Sequence, residues 1–131
     1  MKHIFLTFLV AIFAFSVSSC RKEKDTTATV TIVDAAQQPV AGVTVRLYCP
    51  DATCTGGNLD EDMDRTATTN SSGKATFNYT EQYRLGQAGF AVLDVEVHLT
   101  AATGGTPEAT GVIKIEEEVE NEQTIICQTC P

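Results

Sequence analysis

From Ala28 to the end of the chain, apolar and polar residues alternate in short runs, the period expected of strands with one buried face. Thr29-Val30-Thr31-Ile32-Val33 opens the series. It meets a turn at Asp34-Ala35-Ala36-Gln37-Gln38-Pro39, where the proline cannot donate to a ladder. Val43, Val45, Leu47 and Cys49 share one face of a second strand, with Thr44, Arg46 and Tyr48 on the other. A Thr-rich third strand, Thr66 to Thr69, runs into Asn70-Ser71-Ser72-Gly73, a turn whose glycine can take a positive φ. Ala75, Phe77 and Tyr79 predict the inward face of a fourth strand. Between Ala91 and Thr100, Leu93, Val95, Val97 and Leu99 are expected inward, and Asp94, Glu96 and His98 outward. Val112-Ile113-Lys114-Ile115 and Thr124-Ile125-Ile126-Cys127 complete seven strands. Glu81 to Ala88 predicts a helical turn, kept short by Gly86 and Gly89. Seven short strands, each hiding one face, predict an all-β, seven-stranded antiparallel β-sandwich.

Residues 1–19 follow another pattern. Met1-Lys2-His3 is a short basic start, and Ile4 to Val17 is uncharged and apolar. A spanning helix needs about 20 residues to cross roughly 30 Å of hydrocarbon, so this shorter run reads as the core of a signal peptide. It ends in Val17-Ser18-Ser19-Cys20, which resembles a bacterial lipobox, where the cysteine is acylated and becomes the new N-terminus. The resemblance implies palmitate-type acyl chains on Cys20. Each buried acyl CH₂ adds about 0.8 kcal/mol of membrane affinity, and two or three chains anchor stably where one does not. The expected organisation is a lipoprotein signal peptide over 1–19, a charged tether over 20–27 and a β-sandwich domain over 28–131. Asp25-Thr26-Thr27 also matches a three-residue O-glycosylation pattern, which makes Thr26 a candidate glycan acceptor.

Two segments carry a family likeness. Gln38-Pro39-Val40-Ala41-Gly42-Val43-Thr44-Val45-Arg46-Leu47 resembles the opening "x-P-[L/V]-x-G-[A/V]-x-V-x-L" of carboxypeptidase-regulatory-like, transthyretin-like (prealbumin-like) domains. Thr69-Asn70-Ser71-Ser72-Gly73-Lys74-Ala75-Thr76-Phe77 resembles their "T-D-x-x-G-x-[A/F]-x-F" hairpin, with Asn70 in place of aspartate. The resemblance implies a transthyretin-like or immunoglobulin-like sandwich. It implies little about function, because such domains mostly serve as non-catalytic binding or spacer modules.

Charge and cysteines narrow the classes further. The chain has 17 acidic and 9 basic residues, a net charge of −8, which argues against nucleic acid because phosphate contacts need clustered Lys and Arg. After Cys20 four cysteines remain: Cys49, Cys54, Cys127 and Cys130. In an exported chain they predict two disulfides rather than a Cys₄ zinc site. Strict up-and-down alternation puts Cys49 and Cys127 at opposite poles, beyond the ~7 Å limit for a bridge, and so favours Cys49–Cys54 and Cys127–Cys130. One missed or extra strand would reverse that parity and permit a Cys49–Cys127 bridge.

Asp60, Asp62 and Asp64 have the D-x-D-x-D spacing of a calcium loop. Arg65 stands where that loop needs its glycine and Ser71 where it needs a bidentate glutamate, so the segment reads as a solvated acidic loop and no metal or cofactor is expected. Glu116-Glu117-Glu118-Val119-Glu120-Asn121-Glu122 reads as a charged turn between the last two strands. His98 is the single histidine after residue 19, and no nucleophile–base pair accompanies it.

The expectation is therefore a non-enzymatic, lipid-anchored envelope lipoprotein of a Gram-negative bacterium that binds a protein or glycan partner. A purely structural spacer without a small ligand is the alternative. The anchor predicts attachment to the outer membrane, with its facing, its partner and its oligomeric state left open.

Overall fold

The computed structural model describes residues 22–50, 63–84, 89–100 and 103–131. Its elements are β1 (Thr27–Val33), β2 (Thr44–Tyr48), β3 (Arg65–Thr68), β4 (Lys74–Asn78), the short helix α1 (Thr80–Arg84), β5 (Phe90–His98), β6 (Ala109–Glu116) and β7 (Glu120–Ile126). They form two sheets, a three-stranded one ordered β4-β1-β7 and a four-stranded one ordered β3-β2-β5-β6. Between them the inward side chains of every strand make one apolar core, including Val30, Ile32, Leu47, Phe77, Leu93, Val95, Ile113, Ile115 and Ile125. The described residues form a mostly β sandwich of seven strands.

It is not wholly antiparallel. β1 pairs β4 antiparallel but β7 in parallel, from Thr27 opposite Glu120 to Val33 opposite Ile126. The reason is parity: the path alternates up and down, so the first and seventh strands run the same way, and placing β1 between β4 and β7 forces one parallel pair. The same parity puts the ends of β2 and β7 at opposite poles. One pole carries the start of β1, the end of β2 and the β6–β7 turn; the other carries the end of β1 and the C-terminus.

Turn chemistry follows the sequence reading closely. Asp34 Oδ1 accepts hydrogen bonds from the Ala36 and Gln38 amides, and Asn70 Oδ1 accepts from those of Ser72 and Lys74. Gly73 has φ +72°, and a Cβ there would stand 2.5 Å from the Ile32 carbonyl oxygen, so the β3–β4 turn admits no side chain. Gly111, in mid-strand, leaves the space that the Ile125 side chain fills.

Three boundaries differ from expectation. The fold begins before Ala28: Thr26 is 1% exposed. Its amide donates to Thr80 Oγ1, its hydroxyl accepts from the Glu118 amide, and its carbonyl accepts from the Tyr79 amide. The acidic stretch before Gln123 is a turn only at its centre, because β7 starts at Glu120 and Asn121 is buried. Leu99 is exposed because the strand ends at His98 and the chain then bends, while His98 keeps its outward place opposite Thr44 yet is buried there.

Candidate functional site

The outer face of the four-stranded sheet carries the densest polar arrangement among the described residues. β2 presents Thr44, Arg46 and Tyr48 there, and β5 presents His98, Glu96 and Asp94. The register sets Thr44 opposite His98, Arg46 opposite Glu96, and Tyr48 opposite Asp94. On the far side of β5, Thr110 stands opposite Glu96, Val112 opposite Asp94, and Lys114 opposite Val92.

Arg46 is the hub. Its guanidinium engages both oxygens of Asp64, at 3.0 Å from Nε and 2.6 Å from Nη2, the two-point geometry that suits a carboxylate. Nη1 lies 3.5 Å from Glu96 Oε2, and Cζ stands 4.5 Å from the centre of the Tyr48 ring. The hydrogen bond from Arg46 to Asp64 holds the guanidinium firmly protonated. Glu96 also accepts the Tyr48 hydroxyl proton at 3.1 Å and lies 3.3 Å from His98 Nε2. Burial, and then the hydrogen bond to Glu96, push the Tyr48 phenol above its ordinary range.

Beside this network the face becomes apolar. Phe90, Val92 and Val112 are exposed, and Lys114 pairs with Glu116 and lies over the Phe90 ring. A shallow depression of about 320 Å³ lies between the two halves, with Tyr48 on one side, Thr110, Gly111 and Val112 on the other, and Asp94 and Glu96 within it. Such an arrangement can hold a ligand by charge, hydrogen bonds and apolar contact. Its histidine faces a carboxylate.

The residues singled out from the sequence are scattered rather than gathered. Cys127 and Cys130 are disulfide-bonded, with Cα atoms 5.4 Å apart, and cap the end of β7. The Cys49–Cys127 bridge therefore does not form. Cys49 is also disulfide-bonded, and Cys54 lies outside the described residues, as do Cys20, Asp60, Asp62 and the signal segment. Asp64 has its two oxygens committed to Arg46. Among the described residues no group of three or more His, Cys, Asp or Glu could hold a metal ion.

Thr26, the candidate glycan acceptor, has its hydroxyl buried in the clamp at the start of β1, so a folded chain offers no access to it. A second depression, of about 270 Å³, lies at that pole between Glu23, Thr26, Tyr83 and Glu117. It is the seam where the N-terminal segment meets the fold.

Sequence reasoning identified the outward faces of β2 and β5 but not that they adjoin. The alternation Arg46/Tyr48 and Asp94/Glu96/His98 carried the signal, whereas their pairing across 48 to 50 residues did not show.

No family model matches the chain, and no curated protein matches it. Solved structures do. The dioxygenase domain of a dioxygenase–carbohydrate-binding protein fusion from Streptomyces sp. SirexAA-E is 13% identical, with a TM-score of 0.50 over 86% of this chain and 84% of that one. A candidate carbohydrate-binding protein from Pseudomonas aeruginosa is 11% identical, with a TM-score of 0.44 over 83% and 92% of the two chains. The Bacillus anthracis TIE protein is 9% identical, with a TM-score of 0.47 over 79% of this chain but only 17% of its own length. At these identities the Streptomyces domain speaks for the fold alone: this chain is similar to it in its β-sandwich.

Proposed function

We propose that this chain is a non-catalytic binding module of the cell envelope, anchored in the outer membrane through acyl chains on Cys20. It presents the outer face of its four-stranded sheet to a partner, and its sandwich is of the transthyretin-like kind. The observation that carries the binding reading is the locked array of Arg46, Tyr48, Asp64 and Glu96 beside exposed Phe90, Val92 and Val112 on one outer sheet face. Long charged side chains held in fixed geometry suit recognition, since exposed ion pairs contribute only about 0–1 kcal/mol to folding. That His98 faces Glu96, with no serine or thiol beside it among the described residues, favours binding over catalysis.

Two measurements test the reading separately. Metabolic labelling with an alkynyl fatty acid should tag the wild-type chain, and Cys20→Ser should lose the tag and leave the membrane fraction. A Cys20→Ser chain that stays with membranes removes the anchor. A photo-crosslinking side chain at residue 112 should give a discrete adduct in whole cells, and the same group at Thr76, on the opposite outer face, should not. Equal adducts at both positions favour a plain spacer.

A further inference from the structure

Among the described residues the outer face of the four-stranded sheet sets two cations, Arg46 and Lys114, against four carboxylates, and only one of the four, Asp94, has no cation beside it. Arg46 is held by Asp64 and Glu96, and Lys114 by Glu116. Asp64 and Glu96 share one guanidinium, and Glu116 has the Lys114 ammonium, so the face keeps a net negative charge. Asp94 makes no hydrogen bond or ion pair among the described residues, and it lies in the depression beside Tyr48 and Val112. Along β5 towards the pole where β1 begins, the next outward residues are Val92 and Phe90, both exposed. The face thus reads, at strict two-residue intervals, as an unpaired anion followed by two apolar positions.

Resting on the reading that this face binds, we propose that its occupant is an extended, basic segment of a partner protein. That segment carries Lys or Arg at one position and apolar side chains two and four residues further on. An extended chain laid along β5 repeats its side chains at the same interval, so a cation over Asp94 brings its next same-face residues over Val92 and Phe90. The cation meets the Asp94 carboxylate and the Tyr48 ring, while its aliphatic stem lies on Val112. Anionic ligands are repelled by the Asp94–Glu96 pair, and an amino sugar matches the charge but not the two apolar positions. The match of charge and spacing therefore points to polypeptide rather than glycan.

The test is a heteronuclear NMR titration of the full chain in detergent micelles with the nine-residue peptide STKTVTLTS. The comparison ligands are STETVTLTS, STKTSTSTS and glucosamine hexamer. Saturable shifts of the Asp94, Thr110, Gly111 and Val112 amides are expected with the first peptide only. Asp94→Asn should weaken that binding about tenfold, equivalent to about 1.4 kcal/mol. Val112→Lys, which places a like charge at the same spot, should weaken it similarly and serves if the first variant does not fold. Absence of shifts with STKTVTLTS, or binding indifferent to both substitutions, overturns the proposal. Shifts at these residues from glucosamine hexamer alone overturn it too, while leaving the binding face itself standing.

Discussion

The outer faces of the two sheets are made by the same alternation, but their central strands are filled in opposite ways. On the three-stranded sheet, the central strand β1 shows Thr27, Thr29 and Thr31, with one hydroxyl contact of 3.4 Å between Thr29 and Thr76, and the charged residues of that face, Lys74, Glu120 and Glu122, stand on the edge strands β4 and β7. Threonine suits a pleated surface and gives up little side-chain freedom there. On the four-stranded sheet the matching central positions include Arg46, Asp94 and Glu96; strands disfavour aspartate and glutamate, and the long Arg46 and Glu96 side chains lose more freedom when held. Asp94 and Glu96 also face the same way two residues apart on a central strand, whereas the like pair of the other face, Glu120 and Glu122, lies on the edge strand β7. Folding gains little from them. The difference teaches that the centre of one face is composed for stability and the centre of the other for contact, and that the cost of the second is carried by the rest of the molecule.

The largest expected effect lies at the joint that carries this cost. Asn121 donates from Nδ2 to the carbonyls of Thr27, Glu116 and Val119 and accepts from the Glu116 amide, linking β1, β6 and β7. Asn121→Ala removes these four part-buried hydrogen bonds at once and should cost about 3 kcal/mol in urea denaturation. Next comes an attempt to give the threonine face the other face's chemistry. Thr29→Asp buries a carboxylate on the central strand opposite Glu122, and should cost about 2 kcal/mol.

A third effect concerns Tyr83, whose hydroxyl donates to the Ile115 carbonyl and whose phenol burial pushes up to about 12. Unfolded tyrosines deprotonate near 10, so above that pH the unfolded chain binds fewer protons and stability falls as pH rises. Urea midpoints should report a slope of about 1.4 kcal/mol per pH unit for this group between about pH 10 and 12, and Tyr83→Phe should remove that share.

The smallest effects belong to the contact face. Asp94→Thr should change stability by about 0.5 kcal/mol or less, in the stabilising direction, and Arg46→Met should cost about 0.5 kcal/mol. If either loses 2 kcal/mol or more, the face is structural and the contrast between the two sheets collapses.

Much of the scaffold was legible because strand alternation and turn chemistry are local. The residue types at Val30, Ile32, Val45, Leu47, Leu93, Val95 and Val97 name the core without any knowledge of partners, and all are buried. Asn70 and Gly73 likewise announce their own turn. The candidate site was legible only in halves. Tyr48 and Glu96 could each be assigned to an outward face, but a period of two says nothing about which strand lies alongside.

Pairing is a competition among distant segments, decided by the whole core at once. It placed β2 against β5 and so assembled the Arg46 network, and it set β1 parallel to β7. The same competition turned Thr26 from tether into clamp and Asn121 from charged-turn residue into the link between strands, since a hydroxyl or amide can satisfy several backbone groups only after those groups have been brought to it. The sequence by itself determined where the strands lie and which of their faces meet water. The tertiary structure alone decided which of those faces stand together, because adjacency across some 50 residues depends on long-range packing rather than on any local pattern.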